Sequence, residues 1–140
     1  MHDLHYSEHN FVRKLLTILD CRILESGQTI QQAGHVVDNV CFNMNNRVNV
    51  LDHRQIFILS TLPEGSWFGD FNAFLNVKSG FTYVAHFEPD DVEFVSDDQL
   101  RIMLLMCPVE KFLQLLKDYP QTNKWMIERS ILRRNYFKQI

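Results

Sequence analysis

Asn39-Val40-Cys41-Phe42-Asn43-Met44-Asn45-Asn46-Arg47-Val48-Asn49-Val50 alternates between apolar and polar residues over most of its length. Val40, Phe42, Met44, Val48 and Val50 take even positions, and Asn39, Asn43, Asn45, Arg47 and Asn49 take odd ones; Cys41 and Asn46 break the pattern. Successive side chains of a strand point to opposite faces, so this period of two predicts strands with one face in a core and one in water. Asn46 marks the turn between them, because asparagine tolerates the left-handed backbone region.

Upstream, Ser7 is placed to cap a helix whose apolar face is Phe11, Leu15, Ile18 and Leu19, ending near Asp20. Cys21–Leu24 and Gln28–Gln32 read as short strands separated by Ser26-Gly27. Downstream, Gln55–Leu62 is a strand and Pro63-Glu64-Gly65 a type II turn signature. Phe71–Leu75 is long enough for little more than a helical turn, Phe81–Phe87 returns to strand, and Arg101–Cys107 is a strongly apolar strand. Between these last two, Glu88 to Asp98 holds six carboxylates and no cation. Pro108 suits a first helical position, and Pro120 opens a longer helix running to Gln139. One helix, about eight short strands and two closing helices predict a mainly β fold with flanking α: an eight-stranded jelly-roll β-sandwich with a short helix inside it. Residues 1–8 are expected to be a flexible N-terminus and residues 9–140 a single domain.

Composition narrows the function. With 140 residues, 46% hydrophobic and eleven Phe, the chain can bury a core. A net charge of −3 argues against nucleic acid as a partner. Cys21, Cys41 and Cys107 are widely spaced and odd in number, which signals neither a disulfide framework nor a zinc site and suits a reduced, cytoplasmic setting. The longest apolar run, Ile102–Cys107, is far short of the roughly 20 residues that cross a bilayer. His2, His5 and His9 would share a helical face, but a flexible terminus is the simpler reading; no metal site, cofactor or nucleophile constellation is expected, and the chain is read as not an enzyme.

Three stretches carry a family resemblance. Leu24-Glu25-Ser26-Gly27-Gln28-Thr29-Ile30 with the later Gly34, the Val40–Val50 strand pair, and Leu62-Pro63-Glu64-Gly65-Ser66-Trp67-Phe68-Gly69-Asp70 resemble the cyclic nucleotide-binding domain family. The last stretch is similar to the Leu-x-x-Gly-x-x-Phe-Gly-Glu that opens the family's phosphate-binding cassette. The likeness covers residues 9 to 138. It implies cAMP or cGMP as the candidate ligand, with Phe68, Gly69, Asp70, Phe71, Asn72, Lys78, Ser79 and Thr82 as the cassette residues. In the family the carboxylate takes the ribose hydroxyl, helix N–H groups and an Arg hold the phosphate, and the last helix closes as a lid. Here the lid residues would be Trp125, Arg129, Leu132, Arg133 and Tyr136.

The departures matter. Asp70 stands where the family has Glu, Ser79 where it has Arg, and Phe81 where a small residue lines the cavity. An Asp without the Arg is similar to the homology domains of ether-à-go-go-type potassium channels, and the ending Glu128–Phe137 is similar to channel-type sequences of ciliates and other protists. That implies a degenerate regulatory domain with weak or no nucleotide binding. Its partner would be the rest of a channel-like parent, at the cytoplasmic face of a membrane without inserting, and oligomeric through that parent. Asp70 also reads as a helix cap, and Lys78, Ser79 and Thr82 as ordinary loop and strand groups. A functional cAMP or cGMP domain and a structural scaffold subunit are the rivals, with a cupin-type metal enzyme behind them. The stripe Trp125, Leu132, Tyr136 is expected to dock the last helix, with its arginines meeting the acidic loop.

Overall fold

The computed structural model describes residues 2–45, 47–87 and 101–139, with side chains from residue 9 to residue 138 of these. Helix α1 (His2–Leu16) leads into β1 (Asp20–Glu25), β2 (Thr29–Gln31), β3 (Asn39–Asn43), β4 (Arg47–Leu51), β5 (Ile58–Leu62) and β6 (Trp67–Phe68). Helix α2 (Asp70–Leu75), β7 (Thr82–His86), β8 (Arg101–Pro108), α3 (Val109–Leu116) and α4 (Pro120–Gln139) complete it. Two antiparallel four-stranded sheets, β1-β8-β3-β6 and β2-β7-β4-β5, face each other. This is the jelly-roll sandwich with flanking helices that the alternation and turn spacing imply.

Several boundaries differ from the sequence reading. Helix α1 passes through Ser7 and stops at Leu16, so Ser7 is no cap. The β4–β5 connection runs to Phe57 because Asp52 holds it: its carboxylate accepts the N–H groups of Ile56 (2.8 Å) and Phe57 (3.1 Å), and Gln55 takes a φ of 60°. Pro108 closes β8 instead of opening α3. The Asn46 turn and the acidic loop lie outside the described residues.

The one-face-wet expectation for β3 and β4 fails. Val40, Val48 and Val50 are buried, but so are Cys41, Asn43 and Asn49. Helices α1, α3 and α4 cover the outer side of the first sheet, where Phe11, Leu15, Val40, Cys107, Phe112, Leu116 and Met126 form a second core. The buried asparagines are hydrogen-bonded, as burial of an amide requires. Asn43 Nδ2 donates to the Pro63 carbonyl (3.1 Å), and Asn49 Oδ1 accepts the Thr61 hydroxyl (2.9 Å). Between the sheets, Phe68 of β6 stacks on Tyr83 of β7 with ring centroids 4.3 Å apart.

Candidate functional site

The site grows out of the β6–α2 junction. Register with β3, Cys41 opposite Phe68 and Phe42 opposite Trp67, fixes where β6 ends. Gly69 then turns the chain with a φ of 88°, and a Cβ there would lie 2.6 Å from the Asn39 carbonyl oxygen. Only glycine fits, since the left-handed region and the close approach to β3 coincide. Asp70, the first residue of α2, is thereby driven inward and is fully buried.

Both carboxylate oxygens of Asp70 are taken by side chains of this chain. Oδ2 accepts the Trp67 indole N–H at 3.0 Å, and Oδ1 forms an ion pair with the Arg133 guanidinium of α4. Burial pushes the Asp70 carboxyl above its ordinary range, against the pull of Arg133, the indole and the backbone N–H groups of Asp70 and Phe71.

A cavity of about 230 Å³ lies beside this pair. Asp70, Phe71 and Asn72 of α2 line one side, Lys78, Gly80 and Phe81 another, and Ser130, Arg133, Arg134 and Phe137 of α4 close it. Arg134 lies over the Phe71 ring at 4.5 Å, and Phe137 packs edge-on against Phe81 at 5.3 Å. Lys78, Arg133 and Arg134 against Asp70 leave the lining cationic, which suits an anion. Asn72 shapes the rim by donating to the carbonyls of Val77 (3.2 Å) and Lys78 (2.9 Å).

The structure brings Gly69, Asp70, Phe71, Asn72 and Lys78 to this cavity, and separates the other cassette residues from it. Phe68 belongs to the core between the sheets. Ser79 is buried, its hydroxyl donating to the Phe81 carbonyl (2.6 Å). The Thr82 hydroxyl accepts the Ala33 N–H (3.0 Å). Both hydroxyls hold the backbone, as the reading of Ser79 and Thr82 as ordinary loop and strand groups has it. Asp70 does not cap α2 through its side chain; Gly69 occupies the cap position.

The lid assignment needs correction as well. Leu132 and Tyr136 are 65% and 59% exposed and do not dock the helix, whereas Trp125, 40% exposed, packs against Trp67 with ring centroids 6.2 Å apart. Helix α4 docks through Met126, Ser130, Arg133 and Phe137, which share a stripe at i, i+4, i+7 and i+11. Two polar members hide that stripe from a count of apolar residues, although its spacing is present in the sequence. Arg133 meets Asp70 rather than serving on the surface, and Arg129 lies over the Trp125 ring at 5.1 Å. Trp67, Arg134 and Phe137 are site residues that the sequence reading did not select.

No protein-family model and no curated protein matches the chain. The fold does match solved structures. One is cAMP-bound PfPKA-R spanning its residues 141–441, with a TM-score of 0.68 and 16% identity. The match covers 92% of this chain and 38% of that one. The fold is of the cyclic nucleotide-binding type. At this identity the likeness concerns architecture, and the resemblance to potassium-channel domains rests on sequence motifs alone. The chain spans well under half of that neighbour. Among the described residues no helix is long and apolar enough to cross a membrane, and no cluster of His, Cys, Asp or Glu is arranged to hold a metal. Burial pushes the Cys41 thiol up to about 12 and the Cys107 thiol to about 11, which suppresses the reactive thiolate.

Proposed function

We propose that this chain is a non-catalytic regulatory domain of the cyclic nucleotide-binding type in which the last helix supplies the contacts a nucleotide would make. The Arg133–Asp70 ion pair carries this reading. A ribose hydroxyl seeking Asp70 meets a buried carboxylate already engaged by the Trp67 indole N–H and the Arg133 guanidinium, and Phe137 fills part of the cavity against Phe81. The loop supplies no arginine, and losing an Arg–phosphate pair costs about 1.5–3 kcal/mol, on the order of 10- to 150-fold in affinity. The domain then passes the position of α4 to a larger parent protein, for which the sequence motifs favour a channel.

A second reading, a working cAMP or cGMP site, is favoured by one observation: Lys78 and Arg134 both line the cavity and are available to a phosphate. Titration of a Phe137→Ala variant beside the parent chain separates the two. Removing a ring that stands in for the ligand should tighten cAMP or cGMP binding about tenfold or more. Weaker binding by the variant would mean that Phe137 is part of a nucleotide site.

A further inference from the structure

Most polar side chains of the cassette cavity are already committed. Asp70 has both oxygens engaged, by the Trp67 indole and by Arg133. Ser130 donates to the Ile127 carbonyl (2.8 Å), and the Asn72 amide nitrogen donates to the carbonyls of Val77 and Lys78. Lys78 and Arg134 differ: both line the cavity, and among the described residues neither is paired with a carboxylate. Arg134 stacks on the Phe71 ring, and a stacked guanidinium keeps its in-plane N–H donors for a ligand. Tyr83 adds a hydroxyl that stays protonated, because burial pushes its pKa up. The other side chains of the lining, Phe71, Leu75, Val77, Phe81 and Phe137, are apolar.

We infer that this cavity takes a small aromatic anion, one carboxylate or phosphate group on a single ring, in place of a cyclic nucleotide. Its free volume of about 230 Å³ lies below the roughly 300–1,000 Å³ of drug-sized pockets. A nucleotide brings ribose hydroxyls whose acceptor, Asp70, is occupied. A bare phosphate would give up hydration against rings, and a neutral ring would leave two cations facing it unpaired. Phe71 and Lys78 come from the α2 side and Arg134 and Phe137 from α4, so one occupant bridges both and favours the docked helix. This rests on the proposed reading that α4 closes the cassette.

Amide NMR titration with phenyl phosphate and with benzoate tests it. Saturable shifts are expected at residues 69–81 and 130–137. Inorganic phosphate and benzyl alcohol carry the charge and the ring separately, and each should bind about tenfold or more weakly than the probes. Lys78→Glu, at an exposed position, should weaken the probes about tenfold or more, while Lys78→Arg keeps them within about threefold. No saturable shift with either probe overturns the site. So does inorganic phosphate or benzyl alcohol binding as tightly, or an unchanged affinity in Lys78→Glu. Binding that leaves amide exchange of residues 130–139 unchanged overturns the bridge to α4 alone. A silent cavity with weak cAMP and cGMP binding removes this site and leaves the regulatory reading standing. Sub-micromolar nucleotide binding removes that reading instead, so the two failures are distinguishable.

Discussion

Arg133, two turns from the end of α4, forms an ion pair with Asp70, the first residue of α2, across 63 positions of sequence. Asp70 is fully buried, while the Arg133 side chain keeps 22% of its surface exposed, so the carboxylate depends on the arginine more than the reverse. Trp67 supports the pair from both sides: its N–H donates to Asp70, and the Arg133 guanidinium lies 5.9 Å from the centre of its ring. The ion pair thus ties the start of the cassette helix to the last helix.

Removing the arginine should be costly. Arg133→Ala leaves a buried carboxylate without its cation, and such changes cost about 3–5 kcal/mol when both partners are buried. Partial exposure of Arg133 places the expected loss at about 3 kcal/mol. Leu132→Ala, at an exposed neighbour, should stay within about 0.5 kcal/mol. Urea denaturation of both variants checks the order. A larger loss for Leu132→Ala would return the docking face to the outer stripe.

Phe137 anchors the same helix by a different force. Its ring is 3% exposed and joins the core beside Phe81, so Phe137→Ala should cost about 3 kcal/mol or more. Because the ring belongs to α4, the loss should appear first as local opening of that helix. Hydrogen exchange should show residues 130–139 deprotected while β3 and β8 stay protected. Uniform deprotection of the whole domain would mean that α4 does not move as a separate unit.

The elevated Asp70 pKa gives a pH dependence of definite sign. A carboxyl that binds its proton more readily folded than unfolded adds stability as pH falls through its folded pKa toward the unfolded value of about 3.9. That contribution is fully present below the unfolded pKa and is lost as pH rises through the folded one. Relative to Asp70→Asn, the parent chain should therefore gain stability as pH falls from neutral toward pH ~4. A difference that moves the other way would show that Arg133 and the indole outweigh burial.

Gly69 tests the geometry that delivers Asp70. Gly69→Ala meets both a left-handed backbone and an Asn39 oxygen 2.6 Å from the new Cβ. The backbone alone costs about 1–2 kcal/mol, and the clash adds to it. Gly80, also at the cavity, has open space at its Cβ and no positive φ, so Gly80→Ala should be nearly neutral. Thermal denaturation of the two variants gives the comparison; equal losses would remove the special role of the β6–α2 turn.

The architecture was largely legible because it rests on local patterns. Alternation in β3 and β4, turn residues around Gly65 and the Pro120 start of α4 each depend on neighbours in sequence. What escaped was decided by layers that the chain brings together from afar. Asn43 and Asn49 look like wet-face residues until helices and a neighbouring strand bury them with partners. Ser79 and Thr82 fit an anion-binding cassette as well as an ordinary turn and strand, and only the fold puts their hydroxyls on backbone groups. Arg133 looks solvated until a buried acid is found opposite, and no periodicity in α4 carries the identity of that acid.

On the proposed reading the cassette is satisfied from within. Calorimetric titration of the unmodified chain with cAMP and with cGMP tests it most directly. Dissociation constants no tighter than the high micromolar range are expected for both, given a missing Arg–phosphate pair and an Asp70 already engaged by Trp67 and Arg133. A sub-micromolar dissociation constant for either nucleotide would contradict it.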